Sequence, residues 1–100
     1  MIAFDTVVGF DWDAGNARRN EKHGVTQVEA EEVFLHCPLV LALDLAHSSK
    51  EEPRFHALGV TRAGRRLHLT FTIRGNGTLI RVISARDMHR KERVIYDKAD

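Results

Sequence analysis

Leu67-His68-Leu69-Thr70-Phe71-Thr72-Ile73-Arg74-Gly75-Asn76-Gly77-Thr78-Leu79-Ile80-Arg81-Val82-Ile83-Ser84 carries the pattern that decides the fold. Leu67, Leu69, Phe71 and Ile73 alternate with His68, Thr70, Thr72 and Arg74, the period of two expected of a half-buried strand. Gly75-Asn76-Gly77 reads as a hairpin turn, and residues 79–84 form the returning strand. Upstream, residues 55–60 are a further β-prone run, joined to this one through Ala63-Gly64. Before it, Leu39, Leu41, Leu43 and Leu45 alternate with Val40, Ala42, Asp44 and Ala46. Four strands in an antiparallel meander follow.

The segments on either side of the meander are helical. Thr26-Gln27-Val28-Glu29 is a capping box, with Val25 and Ala30 placed as its hydrophobic staple. Ala30, Val33, Phe34 and Cys37 share one apolar face, and Pro38 is the expected stop. Cys37 cannot form an intrachain disulfide, because it is the only cysteine, and its place on this face predicts a packing role. Asp13 caps an earlier, mostly polar helix through about residue 23, ending at Gly24, and the lack of an apolar stripe predicts that it lies on the surface or over a site. Residues 3–12 read as a first strand. Residues 87–98 read as a closing helix with Met88, Val94 and Ile95 as a narrow contact stripe. The order is β-α-α-β-β-β-β-α, an α+β fold with an antiparallel sheet of about four to five strands packed by three helices. Residues 1–100 are expected to form a single domain.

The net charge of +1 conceals an asymmetry. Residues 1–50 carry 4 Lys/Arg against 8 Asp/Glu, and residues 51–100 carry 11 against 6. Either the second half meets an anionic partner, or the acidic half folds against it and neutralises it; composition supports both equally. No apolar run approaches the roughly 20 residues of a membrane helix and no signal segment opens the chain, so the expected location is the cytoplasm, with no membrane partner.

Six histidines suggest a metal, but His23, His36, His47, His56, His68 and His89 lie at wide intervals without ligand spacing, so neither metal nor other cofactor is expected. There is no phosphate loop and no nucleophile elbow. The cations Arg81, Arg86, Arg90, Lys91 and Arg93 instead crowd a strand-to-helix junction suited to gripping phosphate. Metal-free cleavage of RNA needs a base for the ribose 2′-hydroxyl, cations for the phosphate and an acid for the departing 5′-oxygen. His23 is the first candidate for proton transfer, its alternative being a favourable dipole partner at a helix end. Arg suits the phosphate. Arg81, alternating with Ile80 and Val82, either points to a wet face of the sheet or is paired in the interior, and Arg86 lies at the strand end, where side chains gather into sites. Glu92 and Arg93 are either site residues or a solvated helix face, and Tyr96 and Trp12 either stack on a base or belong to the core.

In order, Phe10-Asp11-Trp12-Asp13, Asn20-Glu21-Lys22-His23-Gly24-Val25, Glu29-Ala30 with Val33-Phe34, His47-Ser48, Glu52, Arg54-Phe55, Leu58-Gly59, Arg74-Gly75, Ile80 to Arg86, Arg90-Lys91-Glu92-Arg93 and Tyr96 resemble the BrnT family of toxins. That resemblance spans roughly residues 10–96. It implies a RelE-like ribonuclease of a type II toxin-antitoxin module that inhibits translation and works without metal. It further implies neutralisation by a BrnA-type antitoxin and contact with operator DNA only through the toxin-antitoxin complex. On this reading His23, Glu52, Arg81, Arg86 and Glu92 are catalytic, and Lys22, Arg54, Arg74, His89, Arg90, Arg93 and Tyr96 bind RNA. Two positions depart from the family pattern: Pro53 replaces a polar residue, and Asp87 replaces a basic one, which is expected to lower the positive charge beside the site. The rival is a non-catalytic basic module that docks an acidic protein or nucleic acid.

Overall fold

Five strands in the order β1-β5-β4-β3-β2 form one sheet in the computed structural model, which describes residues 4–99. They are β1 (Gly9–Phe10), β2 (Val40–Leu43), β3 (Arg54–Val60), β4 (Arg66–Arg74) and β5 (Leu79–Asp87); the helices are α1 (Ala14–Glu21), α2 (Gln27–Val33) and α3 (Arg90–Asp97). The element order is the expected one, and the sheet is antiparallel throughout β2 to β5. Only β1 runs parallel to its neighbour, pairing Gly9 with Leu79 and Phe10 with Ile80.

The first strand is much shorter than the 3–12 run suggests; Ala3, where that run begins, lies outside the described residues. A short 3-10 turn occupies Phe4–Thr6, and after Phe10 the chain leaves the sheet. Asp13 draws it away by accepting from the amides of Gly15 and Asn16, which caps α1. Polar α1 then packs along β5, where its buried Asn16 donates from Nδ2 to the Val82 carbonyl at 3.1 Å. An amide side chain thus serves one of the acceptors on the strand that β1 does not reach.

The capping box of α2 is present in both directions, with the Glu29 amide donating to Thr26 Oγ1 at 3.1 Å and the Thr26 amide to Glu29 Oε1 at 3.0 Å. Val25 and Ala30, its staple pair, are buried at 1% and 0% exposure. The helix ends at Val33, five residues before Pro38, and Cys37 is exposed rather than packed. Its apolar side covers the sheet face formed by Ala57, Leu67, Leu69, Phe71, Ile80, Val82 and Ala85. The approach is close enough that a Cβ on Gly59 would come within 2.5 Å of Val33 Cγ1.

At the C-terminal end, β5 continues to Asp87 and α3 starts only at Arg90, so the closing helix is shorter than 87–98. Its inward residue is Tyr96, 6% exposed, which packs with Leu58 and Met88, whereas Val94 and Ile95 are 50% and 55% exposed. Glu92 and Tyr96 are one turn apart on the inward side, which turns the Val94-Ile95 pair outward. This second, smaller core covers one end of the sheet face opposite α2 and leaves the rest of that face polar.

Candidate functional site

Strand alternation sends Arg54 and His56 of β3 and His68, Thr70, Thr72 and Arg74 of β4 to the side away from α2. Arg81 and Arg86 of β5 are five residues apart, an odd spacing that in a regular strand points side chains to opposite faces. A bulge prevents this. Thr70 pairs with Ser84 but Phe71 pairs with Val82, so Ile83 is the extra residue. Arg81 is thereby opposite Thr72, Arg86 opposite His68, and both lie on the polar face.

Towards the β1 end this face opens into a cleft of about 210 Å³ lined by Arg19, Arg54, Arg74 and Arg81 together with Asn16 and Glu52. Each cation on the sheet has a carboxylate beside it. Arg81 reaches Asp13 at 3.0 Å and Asp11 at 3.4 Å, while Glu52 takes Arg74 at 3.0 Å and Arg54 at 3.5 Å. The amide of Asn16 and the Arg81 guanidinium hold the Asp13 carboxyl below its ordinary range. The β2–β3 loop that carries Glu52 is tied to β3 by Ser48, whose Oγ accepts from the Arg54 amide at 2.8 Å and donates to the Arg54 carbonyl.

Beyond the cleft is a cluster of imidazoles and carboxylates. Arg86 forks onto Glu92, Nη1 to Oε1 at 2.8 Å and Nη2 to Oε2 at 2.9 Å, and Glu92 also accepts from the His89 amide. The guanidinium first, and that amide, hold Glu92 down to about 2. His68 is 3.8 Å from Glu92, yet burial, aided by the Arg86 charge, outweighs the carboxylate and pushes its pKa down to about 4. It is neutral at neutral pH, so this contact is not an ion pair. The His68 ring lies 4.9 Å from that of His56, whose Nε2 is 3.3 Å from Asp44 Oδ2. Asp44 also accepts from Nδ1 of His47 at 3.0 Å. Burial works to raise the Asp44 carboxyl, but the hydrogen bond and charges of His47 and His56 keep it low.

The structure gathers Glu52, Arg54, Arg74, Arg81, Arg86 and Glu92 on this face and leaves others elsewhere. Arg65 donates to the His23 and Gly24 carbonyls and to Glu29, and forks onto Asp87 at 2.7 and 3.1 Å. Adjacent strand residues point oppositely, so Asp87 and the turn bearing exposed Lys22 and His23 lie across β5 from Arg86. Asp87 is therefore neutralised by Arg65 on the far side and does not subtract charge from the arginine face. His89 and Arg90 are exposed at the start of α3, and Arg93 donates to the Met88 carbonyl. Tyr96 belongs to the second core, its hydroxyl donating to the Pro38 carbonyl at 2.7 Å, which leaves no ring face for a base. Trp12 packs against the main core and donates to Glu31.

Arg19, Asp44, His47, His56 and His68 are members of the face that spacing did not single out. The signal for His56 and His68 was the strand alternation itself, which puts them on the polar side. Asp44 and His47 become visible only when the β2–β3 loop folds back. Among the described residues, no three His, Cys, Asp or Glu side chains converge to hold a metal ion, and no helix is long and apolar enough to cross a membrane.

The state of His68 has a measurable consequence. The folded protein keeps it neutral down to about pH 4, while the unfolded chain protonates it below about 6.5. The unfolded state thus binds more protons in that window, and stability falls as pH drops through it. Between pH 7 and 5 the loss from this residue is about 2 kcal/mol, above the range in which Glu92 titrates. Urea unfolding at the two pH values is expected to show a shallower decline for His68→Gln than for wild type, and equal declines would contradict the assignment.

A family model described as ribonuclease toxin, BrnT, of type II toxin-antitoxin system matches residues 12–92. A search among curated proteins finds no match.

Proposed function

Because the chain belongs to the BrnT family of type II toxin-antitoxin ribonuclease toxins, we propose that it is an endoribonuclease that cleaves RNA on the polar face of its sheet by metal-independent acid/base chemistry. One observation carries this reading: Arg54, Arg74 and Arg81 converge on a cleft that shares a face with Arg86, Glu92 and three imidazoles. Arg81 and Arg86 present their donor forks to the scissile phosphate and to the charge that grows on it in the transition state. In the free protein Asp11 and Asp13 orient the Arg81 fork and Glu92 the Arg86 fork, while Glu52 holds Arg54 and Arg74 beside them. The pairs within the cleft are partly exposed, and such pairs are weak, so an RNA phosphate displaces a carboxylate at little cost. Arg90 and Arg93 guide the flanking backbone, whereas Lys22, on the same turn as His23, lies across β5 from this face. Proton transfer belongs to groups on the polar face, because β5 separates His23 from Arg86.

A family of this type implies an antitoxin partner and an RNA target. In this proposal the antitoxin is a BrnA-type DNA-binding protein, the toxin reaches operator DNA only in its company, and cleavage in the cytoplasm halts translation. Co-expression with the neighbouring gene tests the partner, with rescue of growth and co-purification as the expected result.

The binding-only reading has its own support. Arg54, Arg74 and Arg81 line a cleft that would take an acidic segment or a phosphate backbone whether or not cleavage follows. Incubation of purified protein with labelled RNA in EDTA separates the two. Steady cleavage is expected; tight binding without cleavage would favour the module, and activity lost on chelation would replace the metal-independent mechanism.

A further inference from the structure

The β2–β3 loop carries a carboxylate–imidazole pair on the same face as the arginines. Asp44, 7% exposed, is anchored at the end of β2 by its amide, which donates to the Arg54 carbonyl at 2.8 Å. Its ionised carboxylate only accepts, so the His47 nitrogen at 3.0 Å, Nδ1, must carry the proton. The His47 amide donates to the same carboxylate at 3.3 Å and fixes the loop that bears the ring. In the neutral imidazole this leaves Nε2 as a bare lone pair, on a side chain that is 68% exposed and has no second partner among the described residues.

The other two imidazoles of the face lack that freedom. His56 has Nε2 against Asp44 and Nδ1 3.2 Å from Thr70 Oγ1, so both nitrogens are engaged. His68 is buried between Arg86 and Glu92, its side chain 12% exposed. An imidazole with one nitrogen on a buried carboxylate and the other open to solvent is the arrangement a general base needs.

We infer that His47, oriented by Asp44, is a catalytic residue that removes the proton from the ribose 2′-hydroxyl during RNA cleavage on this face. The inference rests on the reading of that face as the ribonuclease site. In the step, His47 Nε2 takes the hydroxyl proton, the 2′-oxygen forms a bond to the adjacent phosphorus, and the bond from phosphorus to the 5′-oxygen breaks. The products are a 2′,3′-cyclic phosphate and a 5′-hydroxyl, the 5′-oxygen taking its proton from solvent while the imidazolium returns one. Asp44 touches no substrate and is a positioning residue.

The test uses the full chain, a labelled single-stranded RNA of mixed sequence and EDTA. His47→Ala, a change at an exposed position, is expected to slow single-turnover cleavage by about 100-fold or more while leaving RNA affinity within about twofold. Added imidazole should restore part of the rate in this variant and leave wild type unchanged. Introducing Asp44→Asn into His47→Ala should bring no further loss, because the imidazole it positions for the step is gone and its other contact, His56, takes no part in the step. A His47→Ala rate within about threefold of an active wild type would overturn the assignment while sparing the ribonuclease reading. Slowing without imidazole rescue would overturn the proton-transfer role, and a further loss in the double variant would overturn the role of Asp44. An inactive wild type would overturn the ribonuclease reading and this inference together.

Discussion

Arg86→Ala is expected to slow RNA cleavage by about 100- to 1,000-fold and to abolish growth inhibition on expression. The side chain is the penultimate residue of β5, is placed on the polar face by the bulge at Ile83, and is held in one orientation by the two-point contact with Glu92. A preorganised fork of donors of this kind is worth more to a developing phosphate charge than a mobile cation, so Arg86→Lys should recover only part of the rate. The change also reaches its neighbours. Glu92 loses its main partner, which costs about 1–3 kcal/mol of stability, and His68 loses the nearby positive charge that helps to keep it neutral. Urea unfolding run beside the cleavage assay distinguishes this moderate destabilisation from loss of the site. If wild type and a folded Arg86→Ala retard growth equally, the role assigned to Arg86 is wrong.

The largest effect on stability is expected from Phe71→Ala, about 3–5 kcal/mol. Phe71 is fully buried on the α2 side of β4. Its ring stacks on Phe55 of β3 at 5.4 Å and meets Phe34, at the end of α2, edge-on at 5.1 Å. It therefore joins the helix to two central strands, and deleting the ring leaves a cavity that a close-packed core refills only in part. A domain of this size has about 5–15 kcal/mol in total, so the variant should sit near the limit of folding. At about 4–8 °C per kcal/mol, its melting temperature should drop by at least about 12 °C. A drop under about 4 °C would mean that the aromatic cluster repacks.

How far the site was legible varies from residue to residue. Arg81 and Arg86 stood out as cations at a strand end, and Glu92 as their neighbour, because charge density is a property of the linear chain. His68 was equally legible as the polar partner of Leu67 and Leu69, but its neutrality was not, since that comes from burial under α3 and from the Arg86 charge. Asp87 reads as a charge beside the arginines until strand parity and Arg65 assign it to the other side. Tyr96 reads as either a base-stacking aromatic or a core residue until α3 turns it onto Leu58 and Met88.

Local properties were determined by the sequence alone. Alternation sorted β4 into an apolar and a polar face, Thr26 and Glu29 started α2, and the glycines around Asn76 set the turn, each through interactions among residues a few positions apart. Pairing between distant segments was decided only in the tertiary structure. The one-residue bulge in β5 depends on how its hydrogen bonds register with β4, and it alone puts Arg81 and Arg86 on one face. The meeting of Asp44 with His56, and of Glu92 with Arg86 and His68, depends on a loop and a helix folding back over that face. Period and capping are written within a few residues of the chain, whereas register and convergence are set by packing across the sheet, which no single segment specifies.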